Sequence, residues 1–327
     1  MNITFRAIST YFPGERIASA ELDKRCGLKE GYIEKNTGVK FRHHAHKTDT
    51  VAKTAAQALN KALQTAGLKP SDIDLLLFTG ASFDRPIPHN ACLIKAQITD
   101  DSNPFPCFDI DSTCLSFVNG LDVAHLYIQS GRYNRIALVS AEIPSDCLNI
   151  KDPGTYGLFG DAAVAVIIEK GNGYTPLPGM FLTYPSGAEL AGIKYGGVED
   201  RALHKDTSDP DFFFKMEGRP MIQLSKKHLN NYIERLEAQS HMPLQKMDYI
   251  FPHQSSKYGN MYFMEQYALQ EKQVINTLEE YGNCISASIP LGLERILNNK
   301  NIDLQHKNML LIGTAAGFSL GGMVLKF

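Results

Sequence analysis

The chain lacks a strong charge of either sign: 33 Lys and Arg stand against 35 Asp and Glu, a formal net charge of -2. Without a polybasic face or tail, nucleic acid and anionic lipid are not expected partners. No apolar run approaches the roughly 18 residues that a membrane span needs, and the opening MNITFRAISTYFPG has no charged segment followed by an apolar one. A cytoplasmic protein with no membrane partner is expected. CxxC spacing is also missing, because Cys26, Cys92, Cys107, Cys114, Cys147 and Cys284 are scattered. Neither a disulfide framework nor a zinc site is indicated. The C-terminal GTAAGFSLGG lacks both G-x-G-x-x-G spacing and a Walker lysine, so close backbone packing is its expected purpose. The histidines of FRHHAHK, residues 41 to 47, have no carboxylate or cysteine cluster beside them and read as a solvated loop rather than a metal site.

What is present is a large apolar content, 43% of 327 residues, enough for a sizeable core in one large or two ordinary domains. Internal repetition organises it. AAQALNKALQTAGLKPSDIDLLLFTGAS, a helix, a Gly/Pro turn and a buried strand ending at Thr79, is echoed by HLNNYIERLEAQSHMPLQKMDYIFPHQSS. STCLSFVNGLDVAHLYIQSGRYNRIALVSAE is echoed by GNCISASIPLGLERILNNKNIDLQHKNMLLIGTA, and the openings FRAISTYFPG and GMFLTYPSG are alike. DLLLFTG, RIALVS, AAVAVIIE and NMLLIGT are near-continuous apolar strands, as expected where helices cover both faces of a sheet. The expected architecture is layered α/β, built from two pseudo-symmetric halves, 1–172 and 173–327, that meet near GNGYTPLPG and share a cleft at their strand C-termini. Residues 187–211 read as a loop insertion in the second half.

Three residues stand out. Cys114 follows a strand and a small polar turn in which Ser112 or Thr113 can cap a helix with an apolar face of Leu115, Val118, Leu121 and Ile128. In the first helical turn, unpaired amides favour a thiolate and can hold an oxyanion, although a buried structural cysteine is the commoner occupant of such a place. His253 ends a buried strand in FPHQSS, where it can polarise a carbonyl or move a proton, or simply bond nearby backbone. Asn283, in YGNCISASIP, holds almost the place in the second half that Cys114 holds in the first. Alone it reads as a turn former. Because equivalent loops of duplicated halves face one cleft, all three are expected to converge.

Together these stretches, with LFGDAAVAVI and the C-terminal glycine run, resemble the β-ketoacyl-acyl-carrier-protein synthase III family of thiolase-fold condensing enzymes along nearly the whole chain. The resemblance implies a five-layered αβαβα body, a Cys114–His253–Asn283 catalytic set and no cofactor. It also implies an oxyanion hole from the Cys114 amide and the Ala316–Gly317 turn. Acyl-CoA or acyl-carrier-protein thioesters, a malonyl- or β-ketoacyl-type donor thioester, acyl carrier protein and a second copy of the chain are the implied partners. Substrate contacts fall on Ile87, Thr314, Phe159, Tyr32 and Asn36, and carrier docking on Lys257 and Arg219. Departures are visible. Tyr32, Asn36 and Pro153 stand where the family commonly has a Trp and two Arg for the coenzyme A nucleotide. Ser255 and Ser256 replace Ala and Asn, and Tyr258 replaces a docking Arg. Thr314, Ala316 and Ile87 replace Phe, Gly and Phe around the acyl pocket. A specialised fatty-acid, polyketide or secondary-metabolite condensing enzyme is expected, with an acyltransferase on the same fold as the alternative.

Overall fold

The computed structural model describes residues 2–195 and 209–327. Two five-stranded sheets dominate it. In the first, the strands run in the order Ile3–Tyr11, Ala162–Lys170, Arg135–Glu142, Leu75–Phe78, Cys107–Asp109. The first two junctions are antiparallel and the last two parallel. The second sheet repeats that plan. Tyr249–Pro252 pairs parallel with Asn308–Ala315, which pairs antiparallel with Ser319–Lys326, and this last strand takes Thr175–Pro176 and Met180–Thr183 antiparallel on its far side. A parallel bridge from Ile250 to Val274 stands where the first sheet has its Cys107–Asp109 edge.

The central strands of the first sheet, Leu75–Phe78 and Arg135–Glu142, are covered on both faces, which is why they lack polar alternation. Leu75, Leu77, Ile136 and Leu138 point inward to the helix Ser116–Gln129, while Leu76, Phe78, Ala137 and Val139 point outward to the helix Val51–Ala66. That outer helix is capped by the Thr50 hydroxyl, which accepts from Lys53 N–H, and stops at Gly67, whose φ of 68° suits a residue without Cβ. Leu310 and Ile312 of the second sheet face the other outer helix, Gly218–Ser240, through Tyr232 and Leu236. Between the sheets lie two helices, Ser116–Gln129 and Ser288–Leu297, whose Phe117, Leu121, Ile289 and Leu293 share one core with strand residues of both sheets. Helix, sheet, helix pair, sheet, helix makes the five-layered thiolase-like body that the duplicated sequence implies.

Two expectations need correction. The segment 187–211 is not only a loop: Ala191–Gly192 pairs antiparallel with Lys215–Met216, while residues 196–208 lie outside the described residues. FRHHAHK is not a solvated loop either. Phe41–His44 is a strand paired with Glu15–Ala18, and Arg42 is fully buried because its guanidinium finds the Ser19 hydroxyl at 2.8 Å and the Gly157 carbonyl at 2.7 Å. Burial lowers the His44 imidazole to about 4, with the Arg42 charge acting in the same direction. Among the described residues there is no group of three or more His, Cys, Asp or Glu placed to hold a metal ion, and no helix long and apolar enough to cross a membrane.

Gly160 shows how tightly the halves meet. Its N–H donates to the Asn283 carbonyl at 3.1 Å, and a Cβ there would stand 2.1 Å from the Tyr281 carbonyl oxygen. Since backbone atoms cannot swing aside, Gly160→Ala is expected to cost about 1–3 kcal/mol, read as a lower urea midpoint with an unchanged slope. An unaltered midpoint would show that the junction is looser than the contact implies.

Candidate active site

Cys114 sits in a single 3-10 turn, Thr113–Leu115, that precedes the helix Ser116–Gln129. It is therefore one turn before the α-helix rather than within it, and neither Ser112 nor Thr113 caps that helix through its side chain. Local hydrogen bonds shape the turn instead: Asp111 Oδ1 accepts from Thr113 N–H at 2.7 Å, and the Ser116 hydroxyl accepts from Ser112 N–H at 2.8 Å while donating to the Thr113 carbonyl. These bonds hold Thr113 at a positive φ of 51°, a conformation a β-branched residue rarely adopts unaided.

The second half contains the same turn. Asn283 Oδ1 accepts from Ile285 N–H at 2.9 Å, the Ser288 hydroxyl accepts from Cys284 N–H at 3.0 Å, and Ile285 has φ 48° at the head of the 3-10 turn Ile285–Ala287. Matching bond for bond, Asn283 corresponds to Asp111 and Ser286 to Cys114. This corrects the sequence alignment, which set Asn283 nearly opposite Cys114. A backbone N–H can only donate, so the atom facing it is the Asn283 carbonyl oxygen, and its NH2 remains available to a ligand.

His253 follows the strand Tyr249–Pro252, with its N–H donating to the Ile312 carbonyl at 2.8 Å. Gly313 lets it approach the Cys114 turn, since a Cβ on Gly313 would lie 2.8 Å from His253 Cβ and 3.3 Å from Leu115 Cδ2. The imidazole is buried, its Nδ1 has no hydrogen-bond partner, and burial lowers it to about 4, partly offset by the Ile285 backbone. Contact with Ile285 places it against the Asn283 turn. Phe159 is there too, bridged in parallel to Asn283. The structure thus brings His253, Asn283 and Phe159 together beside the Cys114 turn.

The Ala316 and Cys114 amides lie near the Cys114 sulfur and act to lower its thiol pKa. Ala316 precedes Gly317, whose φ of 75° forms the turn between the last two strands, and Thr314 lies partly buried on the strand leading into it. The thiolate expectation is corrected. Burial pushes the thiol up to about 12, the Glu142 charge adds to this, and the two amides and the Thr113 hydroxyl only partly oppose it. Glu142, at the end of Arg135–Glu142, is the participant that sequence reading missed. A single acid closing the apolar run IALVSA was its only signal.

The remaining residues lie at the surface. Tyr32 opens the helix Tyr32–Thr37, and Asn36 Nδ2 donates to the Tyr32 carbonyl at 2.7 Å. Lys257 packs on Gly38 beside that helix, and Arg219 is exposed near the start of Gly218–Ser240. Ile87 is 84% exposed, so it walls no pocket of its own chain. A cavity of about 300 Å³ borders the far side of the Cys114 turn, lined by Asp111, Thr113, Asn119, Phe181 and Ala316 among others.

Two sheets sandwiching a helix pair, with the cysteine turn and the asparagine turn facing each other between them, define the thiolase-like condensing-enzyme fold. Residues 108–179 match the model of 3-oxoacyl-acyl-carrier-protein synthase III, and residues 237–327 match the model of its C-terminal part. The beta-ketoacyl-acyl-carrier-protein synthase III of Neisseria meningitidis is 28% identical over 319 residues, covering 97% of both chains. Among solved structures, 3-oxoacyl-acyl-carrier-protein synthase III from Aquifex aeolicus superposes with a TM-score of 0.87 at 23% identity over the whole of both chains. The priming beta-ketosynthase of the R1128 polyketide pathway gives 0.87 at 21% identity, over 99% of this chain and 96% of that one. The chain belongs to the β-ketoacyl-acyl-carrier-protein synthase III family of condensing enzymes.

With the thiol raised to about 12, the thiolate fraction should grow about tenfold per pH unit well past the ordinary cysteine range. Iodoacetamide labelling of Cys114, followed by peptide mass, is expected to rise from pH 7 to 9.5 without levelling. A plateau below pH 8 would mean that the turn amides outweigh burial and the Glu142 charge.

Proposed function

We propose that Cys114 carries the acyl group, and that His253 and Asn283 serve the decarboxylative condensation that follows. The observation that carries this reading is the pair of opposed turns: one directs two backbone amides at the Cys114 sulfur, the other leaves the Asn283 NH2 free to donate. In loading, the Cys114 sulfur attacks the thioester carbonyl while His253, neutral at pH 7, takes the thiol proton and passes it to the departing carrier thiolate. The Cys114 and Ala316 amides stabilise the oxyanion. In condensation, the malonyl thioester carbonyl accepts from Asn283 and His253. Its carboxylate leaves as carbon dioxide, and the electron pair, held as an enolate, attacks the acyl carbon. A carbon–carbon bond forms, the bond to sulfur breaks, and the Cys114 thiolate takes up a proton from solvent.

The primer is a coenzyme A or carrier-protein thioester, and the extender a malonyl- or β-ketoacyl-type thioester. Asn36 spends its amide on its own helix and no cation replaces the family arginines at Asn36 or Pro153, which supports weak holding of the coenzyme A nucleotide and a specialised pathway. Lys257 and Arg219 are the proposed carrier-docking cations. We assign residues 1–172 and 173–327 to two halves of one body, and we propose a homodimer in which Ile87 enters the partner's acyl pocket. Its 84% exposure, beside the exposed Phe83, supports this. Light scattering is expected to give twice the chain mass, and a fully active monomer would overturn the shared pocket.

The test of roles is a pair of assays, acyl-enzyme mass and carbon dioxide release from a malonyl thioester. Asn283→Ala is expected to load normally but to condense about 10²-fold or more slowly, as oxyanion-site deletions do. His253→Ala should lose both steps. If Asn283→Ala condensed at the normal rate, a simple acyltransferase, which needs Cys114 but no enolate site, would be the better reading.

A further inference from the structure

Glu142 is fully buried at the end of its strand, where a carboxylate is costly unless its oxygens are satisfied. They are. Oε1 accepts from Ala81 N–H at 2.9 Å and from the Ser286 hydroxyl at 2.5 Å, and Oε2 accepts from Ser82 N–H at 2.9 Å. All the partners donate, as an ionised carboxylate requires. Burial pushes the carboxyl up, and these donors hold it down.

The two ends of this network lead to different parts of the site. Ser286 lies in the 3-10 turn whose leading amide, Ile285 N–H, bonds Asn283 Oδ1, and it is the positional counterpart of Cys114. Ala81 and Ser82 open the segment that carries the exposed Phe83 and Ile87, and the Ser82 carbonyl and hydroxyl are themselves bonded by Asn90 Nδ2 and Ile143 N–H. A carboxylate of the first half therefore grips the asparagine turn of the second.

We propose that Glu142 is a positioning residue: through Ser286 it fixes the turn that aims Asn283, and through Ala81 and Ser82 it fixes the base of the segment bearing Phe83 and Ile87. The inference rests on the reading that Asn283 serves condensation. Packing alone does not account for the choice of residue. A carboxamide of the same shape would turn its NH2 toward at least one of three donors. The carboxylate also disfavours the Cys114 thiolate, so its charge works against loading while its geometry serves the later step.

The two arms separate by substitution. Ser286→Ala adds no atoms and leaves Glu142 its two amides. Acyl loading should stay within about twofold while carbon dioxide release falls about tenfold or more, and amide exchange at Ile285 should quicken. Ser286→Cys, a weaker donor of similar size, should fall between. Glu142→Gln should quicken exchange at Ala81 and Ser82 and alter the preference among acyl chain lengths. Unchanged Ile285 exchange together with an unchanged ratio of loading to condensation in Ser286→Ala would overturn the proposal. Should the unsubstituted protein neither load nor release carbon dioxide, the condensing reading fails. Exchange in Ser286→Ala then still decides whether Glu142 holds the turn.

Discussion

A side-chain oxygen that accepts the backbone N–H two residues ahead, once from Asp111 to Thr113 and once from Asn283 to Ile285, is the interaction on which the site depends. Each bond holds a β-branched residue at positive φ and so forces the chain into a 3-10 turn before a central helix. Duplication sets the two turns face to face between the sheets. Small differences in otherwise equal places then divide the work. Where one turn has a thiol the other has a hydroxyl, and where one has a carboxylate the other has a carboxamide whose NH2 is still free. The same scaffold interaction thus presents a thiol on one side and a hydrogen-bond donor on the other.

His253 and Asn283 are buried, and Cys114 is partly exposed. His253 is an uncharged imidazole at physiological pH, and Cys114 is a thiol beside the Ala316 amide and its own. Donors arranged in advance around a weakly solvated centre act most strongly on charge that develops during reaction, because little solvent must reorganise. The buried Glu142 is the exception. Its charge is held between the halves by three donors, and the cost to the thiolate follows from that position.

Much of the fold was legible because the strands are buried on both faces and the helices carry one apolar stripe, so the order of elements repeats visibly in the sequence. The positions of Cys114, His253 and Asn283 were legible because each stands where a buried strand or polar turn meets a helix or the cleft. The register between the halves was not. GNC and STC invite alignment of Asn283 with a residue near Cys114, whereas hydrogen bonding pairs it with Asp111, a relation that depends on oxygen atoms shared by two different residue types. Arg42 and His44 misled for the opposite reason: polar letters suggested solvent, but inside the body one guanidinium nitrogen of Arg42 donates to the Ser19 hydroxyl and the Gly157 carbonyl. Glu142 left almost no trace, since one acid at the end of an apolar strand has no periodicity and its partners come from residues 81, 82 and 286.

The central claim is that the Cys114 turn and the Asn283 turn handle two different carbonyl oxygens. A crystal structure of the protein acylated on Cys114 tests it most directly. The account predicts the thioester oxygen at about 2.7–3.1 Å from both the Cys114 and Ala316 amides, with Asn283 Nδ2 and the His253 ring free for a second thioester. A thioester oxygen bound instead by Asn283 and His253, with the Ala316 amide turned away, would contradict it.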